Sequence, residues 1–336
     1  MKKLVQLLPF ISVLSVFSIQ ATSDLTHVQY KQAEQFFKQE QLLKAKSLFM
    51  EILTENKNSV ASIVYMARIA AKQNNFDDAE YYIEKALKLA PRDAFVQNLS
   101  GKIYGSIAQK ASLFSALGYA KKSLTGFEMA VEINPENITY QQALLSFYLG
   151  APSIAGGDEK LAMEHAKVIN TLDNKQGYIA IGEVLNAIED QKELTKHLAN
   201  TPAEIQNDPE VLLSQGFIYQ KQKDYQQAFT HFKQAVDNSI NVTDEKGVAI
   251  KFQAMYQLGK TSDISAQELE HGVVALTTFI EKAPTGNQLA SKDWAKFRLA
   301  NLIAKQGNKI QAKNLYQSIA KNTDDKQLKK KIKALL

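Results

Sequence analysis

The chain has 336 residues, 45% hydrophobic and 22% charged, with a formal net charge of +5. That composition belongs to a folded globular protein and not to a disordered one. There is no cysteine, so disulfides, thiolate metal sites, cysteine nucleophiles and a lipidated N-terminal cysteine are excluded. With only 15 glycines and 7 prolines, the chain is expected to be helical and not built from many short strands.

The first 21 residues read as a bacterial secretory signal peptide. Lys2 and Lys3 form a basic head, Leu4 to Phe17 is mostly apolar, and small and polar residues follow to Ala21. An uncleaved anchor is the alternative, but the apolar run is short for a spanning helix of ~20 residues. Cleavage after Ala21 removes two lysines and leaves a net charge of +3. That balance supplies no global field for nucleic acid, which is not expected as a partner.

Two later segments align with each other. Met66, Ala67 and Ala70 are followed by Ala79, Ile83, Ala86 and Pro91; Gln215, Gly216 and Tyr219 are followed by Ala228, Phe232 and Ala235. These motifs resemble the tetratricopeptide repeat, in which small residues sit where two antiparallel helices, A and B, cross and large apolar residues fill the surrounding grooves. The resemblance implies an all-α, right-handed superhelical solenoid of about eight helix-turn-helix repeats, in which stacked repeats bury a continuous core.

On that pattern repeats start near Thr26, at Val60, at Ala94, at Ile138, near Lys175, at Pro209, near 252 and at Asp293. The fifth and seventh are weak. A basic helix from about Asp325 to Leu335 is expected to cap the stack. Its Lys326, Lys329, Lys330, Lys331 and Lys333 read as a solvated face; contact with anionic lipid or cell-wall polymer is the sharper alternative.

The period breaks twice, at insertions of about residues 105–122 in repeat 3 and 149–161 in repeat 4. Both fall in A-to-B connections of adjacent repeats, so the two are expected to touch. The first is expected to lengthen both helices or add a turn. Phe114 and Leu117 are expected to pack beneath the repeat 4 loop, a partner-binding knob being the alternative. The second holds Pro152, Gly156, Gly157 and Asp158 and reads as an elbow. Pro152 stops the preceding helix, both glycines permit positive φ, and Asp158 caps the next helix. An Ala-Pro-x-x-x-Gly-Gly loop after Phe147-Tyr148-Leu149 looks like that of a group of exported bacterial repeat proteins.

Catalytic motifs are missing. No phosphate loop, Rossmann fingerprint, H-E-x-x-H or G-x-S-x-G occurs, and Asp158 and Glu159 would repel a phosphate at the elbow. His27, His165, His197, His231 and His271 are too scattered for a local metal pair. No enzyme activity, cofactor or metal is expected.

Binding of a protein or peptide is what the resemblance implies, through a concave groove lined by the A helices. The lining positions put Tyr30, Phe37, Arg68, Asn98, Lys102, Phe217, Trp294 and Phe297 in that groove. Aromatic area with a few charges suits an extended peptide or a partner helix. Arg68, Asn98 and Lys102 are expected close together and loosely resemble the family's carboxylate clamp, though Tyr30 and Glu34 stand where that clamp has Lys and Asn in the preceding repeat. The bland reading is a solvated wall with Glu34 near Arg68. The function expected is a periplasmic scaffold in cell-envelope assembly or maintenance; the alternative is an accessory small-ligand-binding or transport-associated protein.

Overall fold

A computed structural model describes residues 27–284 and 289–336, and the expected signal segment lies outside them. The described residues form α-helices and one short 3-10 turn, without a strand. They fall into two compact units, one ending at Asp158 and the other running from Glu159 to Leu336.

In the first unit, α1 (27–38) and α2 (Leu42–Glu55) are followed by α3 (Val60–Lys72) and α4 (Phe76–Leu89). Next come α5 (Ala94–Ala108), α6 (Leu113–Ile133), α7 (Ile138–Gly150) and the turn Ser153–Ala155. The second unit contains α8 (Glu159–Leu172), α9 (Asn174–Ala187), α10 (Gln191–Ala199), α11 (Pro209–Lys221) and α12 (Tyr225–Asn238). It continues with α13 (Glu245–Ser265), α14 (Leu269–Lys282), α15 (Lys292–Lys305), α16 (Lys309–Asn322) and α17 (Lys326–Lys333).

Short polar residues set the helix starts. Asp93 accepts from the Val96 amide at 3.0 Å, and Asp208, just before Pro209 at the head of α11, accepts from the Glu210 amide at 2.8 Å. The crossings are built on alanine: Ala33, Ala45, Ala67, Ala79, Ala162, Ala228 and Ala300 have no solvent exposure. Their missing bulk lets neighbouring backbones approach, and Phe49, Ile63, Phe232 and Leu276 fill the space beside them. The last helix, α17, turns Leu328 and Ile332 into the core around Phe297 and Tyr316 and leaves its lysines outside.

The first insertion lengthens the helices: α5 has 15 residues and α6 has 21, against 13 and 14 in α3 and α4. Tyr119 stacks on Tyr104 at 6.2 Å and donates to Glu80 at 2.9 Å. Phe114, by contrast, does not pack beneath the elbow. It is 96% exposed, and Leu117 is half-buried. The reason is the turn of the helix: Ser123, Gly126, Phe127 and Ala130 face inward, and Phe114 stands on the opposite side.

The elbow does lie against α6, with Gly156 at Leu124. Ala151, before Pro152, is extended, with φ −87° and ψ 144°. Gly156 has the expected positive φ of 99°, but Gly157 does not. Gly157 serves a different need, because a Cβ there would overlap the Ala151 carbonyl. The elbow's amides are also spent internally. Gly156 N–H donates to Ser153 O at 3.0 Å, Gly157 N–H to Pro152 O at 3.1 Å and Asp158 N–H to Tyr148 O at 3.0 Å. No backbone donor of these three remains for an anion.

Candidate functional site

In the first unit Tyr30 lies edge-on to Phe49 and Tyr65, at 5.6 and 6.0 Å. Burial, with Tyr65 and Glu34 adding to it, pushes its hydroxyl up to about 12. Phe37 is part of the core, only 6% exposed, and so offers a partner almost no surface. It instead carries the Arg68 guanidinium, 4.5 Å from its ring, with the Tyr65 ring at 4.7 Å. Glu34 accepts from the Tyr65 hydroxyl at 2.9 Å and meets Lys31 at 3.5 Å.

Arg68 and Lys102 form no ion pair with a carboxylate among the described residues, as the contacts of the Asp and Glu side chains there go elsewhere. Desolvation holds the Lys102 ammonium below its usual range, and the Arg68 charge lowers it further. Beside them Asn98 is 4% exposed and its Oδ1 has no hydrogen-bond partner. Asn98 and Lys102 lie one turn apart on α5, and the Arg68 charge on α3 acts on Lys102.

In the second unit the expected aromatics are mostly used by the fold. Phe297 is 8% exposed, and Phe217 is half-buried, edge-on to Phe232 at 5.5 Å. Trp294 donates through Nε1 to Asp325 at 2.8 Å and packs on Phe297 at 5.7 Å, so it anchors the capping helix. The polar feature here was outside the sequence reading. Asp263 on α13 is buried and receives Arg298 at 3.1 Å, Asn301 at 2.9 Å and Lys305 at 2.8 Å from α15. Arg298 also donates to the Tyr256 hydroxyl at 3.1 Å. Lys260, half-buried, is held below its usual range by desolvation and then by Arg298. Lys260 lies eight residues after the start near 252, as Arg68 does after Val60 and Lys102 after Ala94, so the expected register reaches it although α13 itself begins at Glu245. Asp263 follows at the spacing of Phe37 from Thr26; what the sequence does not display is its burial against α15.

The same unit has a polar pocket of about 340 Å³ lined by Thr201, Gln206, Asn207, Gln215, Tyr219, His231 and Gln234, among others. It opens because α10 has 9 residues where α8 and α12 have 14. Pro202 follows closely and prevents a further turn. Gln215 Nε2 donates to both the Tyr178 and Thr201 hydroxyls at 2.9 Å, which fixes one wall.

His197 stacks on Tyr178 at 4.1 Å, with Nε2 3.0 Å from the Tyr178 carbonyl. Burial holds its imidazole below the usual 6.5, against the pull of that carbonyl; His165 is lowered by burial too. A depressed folded value means the folded state resists protonation. Stability from this source is complete above pH 6.5 and falls as pH drops toward the lower folded value. Urea unfolding of His197→Phe should therefore lose less stability than wild type between neutral pH and pH ~5; equal losses would show that His197 is not a source of the acid sensitivity.

No group of three His, Cys, Asp or Glu side chains suited to a metal occurs among the described residues. No described helix is long and apolar enough to cross a membrane.

Comparison with known proteins agrees with this architecture. Tetratricopeptide repeat profiles match residues 61–93 and 210–239, which are α3–α4 and α11–α12. No curated protein matches the chain. A tetratricopeptide repeat protein from Parabacteroides merdae is similar in structure at 12% identity, with a TM-score of 0.52 over 83% of this chain and 98% of that one. Yeast Tom70 is similar at 16% identity, with a TM-score of 0.63 over 88% of this chain and 58% of Tom70. The chain carries tetratricopeptide repeats, and its fold is the all-helical one of such proteins.

Proposed function

We propose that this chain is an exported scaffold of the bacterial envelope, working in the periplasm, and that its A helices bind an acidic segment of a protein partner. One arrangement carries the reading: each unit holds a lysine on an A helix whose charge is disfavoured by desolvation and by a neighbouring arginine, Lys102 by Arg68 and Lys260 by Arg298. In the first unit neither charge has an ion pair among the described residues; in the second Asp263 pairs with Arg298 and leaves Lys260 without one. A partner carboxylate would relieve that repulsion and gain charge-assisted hydrogen bonds. In the first unit Asn98 and the exposed face of Phe95 lie on the same helix, ready for backbone and apolar contacts.

The binding claim predicts a separation of effects. Lys102→Glu and Lys260→Glu should each release the partner at least tenfold more readily without costing more than ~0.5 kcal/mol of stability, because exposed or half-exposed substitutions seldom exceed that and each removes a like charge beside an arginine. Pull-down from envelope extracts together with thermal unfolding reads both. Undiminished retention of the partner by both variants would refute the role of these lysines.

Export is supported by the basic head and apolar run of the first 21 residues. The mature protein is expected to begin at Thr22, as intact-mass measurement of protein from the periplasmic fraction would reveal; a mass that retains Met1 would contradict it. The lysines of α17 remain exposed and suit a secondary contact with the envelope.

A second reading rests on the pocket beside Tyr219 and His231. Its lining of amides, two hydroxyls and an imidazole without a charged group suits a small neutral ligand, as in an accessory or transport-associated protein. A ligand of that kind would raise the melting temperature without any protein partner.

A further inference from the structure

The tip of the α5–α6 hairpin is the least explained part of the chain. Leu113 is 89% exposed and Phe114 is 96% exposed, two large apolar side chains in succession at the head of α6. Ile154, on the elbow that packs against the same helix, is 75% exposed. A folded chain tolerates single exposed apolar residues without consequence. Here, however, Leu113 and Phe114 adjoin each other, and Leu117 continues them one turn along.

The charge along this stretch of sequence has one sign, the nearest acids being on α4. From Ala94 to Phe127 there is no Asp or Glu, while Lys102, Lys110, Lys121 and Lys122 are present. Lys122 is neutralised by Glu80 at 3.0 Å and Glu84 at 3.5 Å. Lys110 and Lys121 are exposed and have no ion pair among the described residues. Phe114 and Lys121 are seven residues apart, so they share the face of α6 opposite its buried side. The tip thus presents bulky apolar groups with cations alongside and no acid between them.

We propose that this tip docks on an anionic lipid surface. Leu113 and Phe114 enter the headgroup–acyl boundary, and Lys110 and Lys121 stay at the phosphate level. Apolar insertion and attraction to anionic headgroups act together in such docking, and each is weak alone. A lipid surface fits better than a protein here because Phe114 projects almost free of neighbours; a soft surface needs no matching recess, whereas a protein partner must supply one. This docking is independent of partner binding by the A helices.

Vesicle binding by the full chain tests it. The chain has one native tryptophan, Trp294, so Phe114→Trp adds a local reporter whose signal is read as the difference from wild type. Its emission should shift to shorter wavelength with mixed phosphatidylglycerol–phosphatidylcholine vesicles and stay unchanged with phosphatidylcholine alone. Leu113→Ser/Phe114→Ser should lower partition to the mixed vesicles about tenfold or more. Lys110→Glu/Lys121→Glu should lower it by about tenfold or more at low salt and by less at high salt. The apolar N-terminal stretch is common to every variant, so these differences read the tip. Absence of the emission shift, or wild-type partition by both double variants, would overturn the proposal. So would a photo-crosslinker at position 114 that yields a discrete protein adduct in envelopes and no lipid adduct.

Discussion

Asp263→Ala should destabilise the second unit by ~3 kcal/mol, because removing one member of a buried ion pair strands the other. Asp263 keeps 8% of its side-chain surface, and it is the shared acceptor for Arg298, with 17%, and Lys305, with 36%. Without the carboxylate, Arg298 retains only the Tyr256 hydroxyl, and Lys260 still faces it. Asn301 loses the acceptor for its amide but keeps the hydrogen bond from Tyr316, at 2.6 Å. The partial exposure of Lys305 lets water recover part of its loss, which places the cost at the lower end of the usual range. Repeats are stabilised mainly by their nearest neighbours, so the loss should appear as early melting of the α13–α17 region and not as a uniform shift. Hydrogen exchange would locate it. A variant whose exchange in α13 and α15 matches wild type would show that the cluster contributes no stability.

The larger effect is expected at Phe232. Its side chain has no exposure and its ring lies directly over Gly216, where an added Cβ would stand 2.5 Å from two ring carbons. Phe232→Ala should cost ~3–5 kcal/mol through lost burial and the cavity left behind. Gly216→Ala alone should also destabilise, by ~1–3 kcal/mol, as overpacking forces the ring aside. Combined, the two should not add. In the Phe232→Ala background the new methyl enters vacated space, and alanine is also the better helix former, so the second substitution should be neutral or stabilising. Denaturant unfolding of the four proteins measures this coupling. Additive costs would mean that the glycine and the ring do not share the crossing.

That pairing explains why so much of the architecture is legible in the sequence. Gly101 with Phe127 and Gly259 with Leu276 repeat it: a glycine on helix A lies under a large side chain of helix B. In the α5–α6 hairpin the contact survives the insertion, since the added residues extend the far end of the hairpin and leave the crossing in place. Close approach demands a small residue at a fixed spacing, and spacing is what a single sequence displays. Val60, Ala94, Ile138 and Pro209 each open a helix for the same reason: a short polar residue stands just before every one of them.

The candidate surface was less legible, and the cause is physical. A position on the A helix says which way a residue points, but not what the next repeat places above it. Phe37 and Phe297 point toward the expected lining and are nevertheless covered, Phe37 by Tyr65 and Arg68 and Phe297 by Trp294 and Tyr316. Large apolar groups are drawn into such contacts because each gains by leaving water. Lysine and arginine resist burial, so Arg68 and Lys102 remain at the surface where counting placed them. The Asp263 cluster depends on contacts between residues 35 or more apart, which no local pattern in α13 announces. Phe114 is the reverse case: an apolar residue in an insertion reads as core, but the turn of α6 carries it outward.

Partner capture from the A helices tests the account most directly. A photo-crosslinking residue at position 102, and separately at 260, would be introduced into the full chain and activated in intact cells. Both positions should yield a discrete protein adduct, acidic where its crosslinked peptide is sequenced, and the adduct from position 102 should disappear with Arg68→Glu. If neither position captures a protein, while a low-molecular-weight neutral ligand raises the melting temperature of the isolated chain, the scaffold account is contradicted and the pocket beside Tyr219 takes its place.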